Sequence, residues 1–293
     1  MTRRQFLASS SAAALTPSAM AQVEKDKPLY EISLAQWSNH RLLKSGKLDN
    51  LDWPKYTQDN YDIHILEYVN QFFKDKAKDA AYLAELNKRV DDLGMTNLLI
   101  MIDGEGSIGA KAEQERDKTV EQHKQWVAAA KTLGCHSIRV NAYGEGSPEE
   151  AAKQVTDGLH KLSTFASEHE INIIVENHGG NSSNGKWLSG ILTAVNLPNC
   201  GSLPDFGNFH EYDRYQGIRD LMPFAKGVSA KSREFDDQGN EVQTDFKKAM
   251  ELVLKANYRG PVGIEYEGKK HSEDEGIKLT KTLLEKIRAE YKG

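Results

Sequence analysis

Ile173-Ile174-Val175-Glu176-Asn177-His178-Gly179-Gly180 is a β-branched run that stops in an acid, an amide, an imidazole and two glycines. Apolar residues at successive rather than alternate positions mark a strand covered on both faces, as in a parallel sheet flanked by helices. Side chains alternate along a strand, so Glu176 and His178 share one face while Val175 and Asn177 take the other. A carboxylate and an imidazole together at a strand end suit a metal or a proton-transfer site. The plainer reading makes them hydrogen-bonding partners in a loop, beside glycines that only turn the chain.

Outward from this stretch the same unit recurs in both directions: a short apolar strand, a loop, an amphipathic helix. Strands are predicted over residues 30–38, 63–69, 97–103, 137–141, 172–176, 202–205, 227–231 and 262–266. Val120, Trp126, Val127, Ala130 and Leu133 include the spacings of a helix with one buried face, as do Val155, Leu159, Leu162 and Ala166. Leu93-Gly94 and Leu133-Gly134 each close a helix ahead of a strand, where glycine takes the left-handed conformation that redirects the chain. Ile277, Leu284 and Ile287 form a last stripe with Leu283 beside it, whereas residues 42–61 are polar and only weakly helical in pattern. Eight strands with helices between most of them predict an α/β fold, a (β/α)8 TIM barrel, as a single domain over residues 22–293. A doubly wound sheet is the alternative, but the glycine-rich phosphate turn after its first strand is missing.

The 293 residues are 39% hydrophobic and 28% charged, with a formal net charge of −5, which gives a phosphate backbone no basic surface to bind. No apolar run reaches the ~18 residues of a membrane span. Thr2-Arg3-Arg4-Gln5-Phe6-Leu7 sets a twin-arginine pair ahead of an Ala/Ser-rich stretch, and Ala19-Met20-Ala21 supplies a small-x-small cleavage pattern. Residues 1–21 therefore read as a Tat signal peptide, residues 22–28 as a charged linker, and the mature protein as periplasmic or exported. Export permits disulfides, but Cys135 and Cys200 precede the fourth and sixth strands, two sheet spacings of ~4.8 Å apart, so both are expected as free buried thiols.

A barrel of this kind builds its site where the strands end. The strand ends supply Glu67, Asp103, Arg139 with Asn141, Glu176 with His178, Asp205, Ser229 with Lys231, and Glu265 with Glu267. Three acids, Glu176, Asp205 and Glu265, each follow a short apolar run, and three carboxylates at one mouth repel unless a cation neutralises them. Oxygen-rich ligation with one imidazole suits Mn²⁺ or Mg²⁺. The alternative is structural ion pairing of these acids with Lys231 or Arg139.

Val175-Glu176-Asn177-His178, Leu203-Pro204-Asp205-Phe206-Gly207-Asn208 and Gly263-Ile264-Glu265-Tyr266-Glu267-Gly268 together resemble the xylose isomerase-like barrel superfamily. That group includes sugar phosphate isomerases/epimerases and ketose 3-epimerases, and the resemblance runs along essentially the whole mature chain. It implies a divalent metal on Glu176, Asp205 and Glu265, with Glu176 and Glu265 as the catalytic proton carriers. The family's fourth ligand, a strand-seven histidine, is Ser229 here, and the histidine three residues after the strand-six acid is Asn208. His178 is then the candidate replacement for the lost imidazole, with His210 as a second, while Lys231 is placed to weaken or replace the metal. Arg139, Asn141, His178, Asn208, Lys231 and Glu267 are the candidate substrate-binding residues, and Trp37 either stacks on a sugar or packs in the core.

The implied reaction is isomerisation or epimerisation of a small sugar by proton abstraction next to its carbonyl. A leaving group β to that carbonyl makes the same site a keto-sugar lyase or hydratase. A non-catalytic carbohydrate-binding barrel is the reading from a different class, and a homo-oligomer is compatible with all of these. An abasic-site endonuclease from the same superfamily requires more metal-binding histidines than these strand ends hold.

Overall fold

Eight strands form where the apolar runs predict them, all parallel and all in one sheet. They are β1 Ile32–Ala35, β2 Ile65–Val69, β3 Thr96–Met101, β4 Ser137–Val140, β5 Asn172–Glu176, β6 Cys200–Leu203, β7 Val228–Ser232 and β8 Val262–Tyr266. The computed structural model describes residues 28–292, so the expected signal peptide and nearly all of the linker lie outside the described residues. Hydrogen-bonded neighbours run β6-β5-β4-β3-β2-β1-β8-β7. The remaining seam, between β6 and β7, is closed by isolated parallel bridges joining Ser202 to Ala225 and Asp205 to Ser229. The result is the (β/α)8 barrel read from the sequence.

Helices cover the outside: α1 His40–Lys44, α2 Trp53–Tyr61, α3 Ala80–Asp92, α4 Glu113–Thr132, α5 Pro148–Ser167, α6 Gly185–Val195, α7 Arg214–Leu221, α8 Phe246–Lys255 and α9 Glu273–Glu290. The stripes predicted to face the strands do so: Trp126, Val127 and Ala130 of α4, and Val155, Leu159, Leu162 and Ala166 of α5, are fully buried. Each large apolar side chain buried this way contributes about 1.5–3 kcal/mol. Ser147 and Ser272 cap α5 and α9 in reciprocal boxes with Glu150 and Glu275. Gly94 and Gly134 turn the chain into β3 and β4 at φ +63° and +72°. Cys135 and Cys200 are free and buried, as expected.

β5 and β8 fall on the predicted residues and the other strands differ by one to three residues at an end, with physical reasons visible at the first and the sixth. The first strand stops at Ala35 because residues 36–39 tighten into a 3-10 turn. There the Ser38 hydroxyl donates to the Ile264 carbonyl and accepts from the Tyr266 N–H, so a side chain replaces the ladder. The sixth strand is shifted to Cys200–Leu203, since Pro204 has no N–H to extend it. Inside the barrel, Ala35, Val69, Leu98, Leu99, Met101, Ile174 and Leu203 pack as an apolar plug. Charged side chains on the same inward positions gather toward the C-terminal strand ends.

Candidate active site at the barrel mouth

β5, β6 and β8 bring Glu176, Asp205 and Glu265 together, with one oxygen of each within 4.8 Å of the others and all three buried. Asp205 lies just past β6, where the side chain of Asn177 holds its backbone from both sides. The Asp205 N–H donates to Asn177 Oδ1 at 2.7 Å, and Asn177 Nδ2 donates to the Asp205 carbonyl at 3.0 Å. The Asp205 carboxylate accepts from the Gly207 N–H at 2.8 Å and from the Ser229 hydroxyl at 2.6 Å. Ser229 is therefore a donor that ties β7 to Asp205, and it lies 3.5 Å from Glu265 Oε2. Asn208 Nδ2 donates to Glu176 Oε1 at 3.0 Å.

Lys231 of β7 extends its ammonium into this cluster. Its Nζ is 2.9 Å from Glu265 Oε1, 3.7 Å from Glu267 Oε2, and 3.9 Å from both Glu176 Oε1 and Asp205 Oδ2. One ammonium thus serves four acids. Burial raises the Glu265 and Asp205 carboxyls, and the mutual repulsion of the acids adds to the rise against the pull of Lys231. Burial alone would lower the Lys231 ammonium, but the surrounding carboxylates carry it above its ordinary value. Burial works the other way on Glu267, and Lys231, the Trp37 N–H at 2.7 Å and Arg233 at 3.4 Å outweigh it and hold that carboxyl down.

On the opposite side of the mouth the charges are matched. Arg139 NH1 donates to Asp103 Oδ1 at 2.8 Å, and Asn141 Nδ2 donates to the same oxygen at 2.8 Å. Burial would raise Asp103, but Arg139 and Asn141 bring it down to about 2. With its amide nitrogen committed to Asp103, Asn141 turns Oδ1 toward His178 Nδ1 at 2.8 Å. That nitrogen therefore carries the proton, and the lone pair of His178 is on Nε2. The Tyr143 hydroxyl donates to the His178 carbonyl at 2.8 Å. Burial lowers the imidazole, so it is neutral at pH 7. Arg139 Nε also lies 2.9 Å from Glu176 Oε2, but its N–H does not point at that oxygen. The contact is an ion pair without a hydrogen bond, and both atoms remain buried without a hydrogen-bond partner.

The donor set fits a hard divalent cation. Three buried carboxylates supply oxygen ligands, and Glu176 Oε2 is a buried acceptor with nothing donating to it. Two features stand against a preformed site. Ser229 has no nitrogen to offer and its hydroxyl is spent as a donor to Asp205, so at this position β7 offers no imidazole-type ligand. Lys231 also occupies the space among the three oxygens. A unit and a doubly charged cation about 4 Å apart repel by roughly 8 kcal/mol at an effective dielectric constant of about 20.

A family profile described as xylose isomerase-like TIM barrel matches residues 62–289. The chain belongs to that family. No curated protein matches the sequence. Among solved structures, D-psicose 3-epimerase in the presence of D-fructose is similar with a TM-score of 0.71 at 13% identity, over 88% of this chain and 99% of that one. The apo 3-keto-D-glucoside 4-epimerase of E. coli has a TM-score of 0.68 at 14% identity, over 89% and 100%. A xylose isomerase-like TIM barrel protein from Mycobacterium smegmatis in complex with magnesium has a TM-score of 0.66 at 14% identity, over 89% and 97%. At these identities the likeness speaks to the fold.

Within this xylose isomerase-like barrel, most residues singled out from sequence converge. Glu176, Asp205, Glu265, Lys231, Asn208 and Glu267 meet on one side of the mouth, and Arg139, Asn141 and His178 on the other. His178, its ring bonded to Asn141 and its carbonyl to Tyr143, lies outside the group formed by Glu176, Asp205 and Glu265. His210 does not join it either. Trp37 uses its N–H on Glu267 and stacks on His40 at 4.9 Å between centroids. Sequence reasoning missed Asn177, Tyr143 and Arg233. Asn177 had a visible signal, an amide directly after a strand acid, but the backbone it holds belongs to the next strand. Glu67 lies deeper, with one oxygen accepting from Ser33 at 2.5 Å and the other unpartnered, and burial lifts its carboxyl to about 7.

Proposed function

We propose that this protein is a sugar isomerase/epimerase that removes a proton next to a sugar carbonyl, with Mn²⁺ or Mg²⁺ held by Glu176, Asp205 and Glu265. The observation that carries the reading is the convergence of Glu176 and Glu265, from strands three apart in the barrel, within one 4.8 Å cluster. When bound, the cation polarises the carbonyl and the hydroxyl beside it and so acidifies the neighbouring C–H.

The chain's own residues do the rest. Glu176 Oε2, free of hydrogen-bond donors, accepts the proton, while Asn208 fixes the other oxygen of that carboxylate. Glu265, across the cluster from Glu176, delivers a proton to the opposite face of the same carbon. Arg139 and Lys231 stabilise the negative charge that develops on oxygen. Of the four acids around Lys231, Glu267 is the most exposed, with 26% of its side chain open. It borders a cleft of about 500 Å³ lined by Trp37, His40, Arg233 and Gln243, which gives the rest of the sugar its way in. The names of the similar folds, a ketose 3-epimerase and a 3-keto-glucoside 4-epimerase, set the substrates to try first.

The test is turnover of ketoses and 3-keto sugars in D₂O, with Mn²⁺ or Mg²⁺ supplied, read as deuterium at the carbon next to the carbonyl. Glu176→Gln and Glu265→Gln should each cut exchange by about 10²–10⁴-fold in folded protein. Exchange that survives both substitutions overturns the assignment. Loss of the C–O bond β to the carbonyl identifies a lyase using the same carbanion. Sugar binding without exchange identifies a carbohydrate-binding barrel, the reading that Ser229 in place of a ligand favours. The twin-arginine segment extends the proposal to export, checked by an N-terminus at Gln22 in the periplasmic or extracellular fraction of the native host.

A further inference from the structure

The Lys231 ammonium sits where a cation bound by the three carboxylates would sit. Its distances to Glu265, Glu176 and Asp205 are 2.9, 3.9 and 3.9 Å, and their oxygens are within 4.8 Å of one another. An ion bonded to Glu265 Oε1 at the ~2.1 Å typical of Mg²⁺ would be no more than about 5 Å from Nζ, with no water layer guaranteed between two positive charges. The placement is built into the fold. Lys231 is 2% exposed, and its stem lies against Gly207, where an added Cβ would come within 2.9 Å of Cγ and 3.0 Å of Cδ. A second resting place is in reach, because Glu267 Oε2 is 3.7 Å from Nζ on the side facing the cleft.

We propose that Lys231 and a divalent cation are alternative occupants of the carboxylate cluster, so that loading the metal requires the ammonium to move toward Glu267. The lysine then serves as a built-in competitor. It offsets part of the charge of the three acids while the metal is absent and lowers the affinity for metal below what three carboxylates alone would give. Ser229 reinforces the preference, since its hydroxyl donates to Asp205 Oδ2 at 2.6 Å and adds no ligand. The inference rests on the proposed reading only for the identity of the ion.

Mn²⁺ affinity of the metal-stripped full-length protein, measured by titration calorimetry in the absence of sugar, tests this without reference to turnover. Lys231→Met should bind Mn²⁺ at least about tenfold more tightly than the native chain, because the like charge is gone. Equal or weaker binding by folded Lys231→Met overturns the proposal, as does failure of both proteins to bind. Reductive methylation of the native protein gives a second measurement that survives a misfolded variant. Saturating Mn²⁺ should speed labelling of Lys231 relative to the exposed Lys55 as the ammonium leaves the cluster, and an unchanged or slower rate overturns it. Failure here leaves the proton-transfer reading intact, and loss of that reading leaves the affinities as measured.

Discussion

The two sides of the barrel mouth handle buried charge in opposite ways. On the β3–β4 side, Asp103 faces one guanidinium and one amide, and of the fully buried side-chain polar atoms there only Arg139 Nε lacks a hydrogen-bond partner. Its carboxyl falls to about 2, so it is a fixed charge across the biological pH range. On the β5–β8 side, four acids share Lys231, and the carboxyls of Asp205 and Glu265 rise. Matched charges hold geometry; mismatched ones hold protons that can move. On the proposed function, the first side would orient a substrate and the second would change it.

The comparison breaks most visibly at Arg139, which touches both sides. Arg139→Met should cost about 3–5 kcal/mol of stability, since it strands Asp103 and exposes Glu176 to uncompensated burial. Urea unfolding at pH 7 reads this, and a loss under ~1 kcal/mol would mean the matched side is incidental to the fold. Asp103→Asn removes the same ion pair but leaves a neutral group behind, so its cost should be smaller than that of Arg139→Met.

Glu67 sharpens the contrast from below the site. Its carboxyl is raised to about 7 from 4.5, so the unfolded chain releases the proton first and stability is lost as pH rises through about 7. The full loss between pH ~4 and ~8 is about 3 kcal/mol for a shift of this size. Glu67→Gln should therefore match the native protein near pH 4 and exceed it at pH 8 in denaturant midpoints. A gap that shrinks with pH would show that Glu67 is ionised in the fold. The smallest expected effect is at Tyr143, where the Phe variant loses the bond to the His178 carbonyl. KM should rise roughly two- to fivefold with kcat unchanged, the signature of a group that only positions the imidazole.

The barrel was legible because its signals are local. β5 and β8 fall on the predicted residues, and the buried stripes of α4 and α5 follow from spacing alone. Where prediction slipped, either a non-local partner intervened, as with Ser38 bonding to the backbone of β8, or a local stop was read through, as with Pro204 ending the sixth strand. The site divides along the same line. Which residues sit at strand ends follows from alternation, so Glu176, Asp205, Glu265 and Lys231 were all in view. What each does depends on reach across the mouth: Lys231 has four flexible carbons, and nothing in Val228-Ser229-Ala230-Lys231 says that it ends among acids of three other strands. His178 stands apart from the three carboxylates for a related reason. Its place just past β5 was right, but its ring is bonded to Asn141, just past β4.

The seam between β6 and β7 has a consequence for how the barrel moves. Seven of the eight strand joints are paired ladders, and this one is two isolated bridges, one of them formed by Asp205 and Ser229 themselves. The hoop is thus clasped inside the carboxylate cluster at the mouth. Breathing of the wall should show first at the amides of Phe206 and Ser229, which carry the backbone bonds of that bridge at 3.0 and 2.9 Å. A ligand that engages Asp205 would fasten the clasp, so occupancy of the mouth should slow exchange there and stiffen the cylinder as a whole.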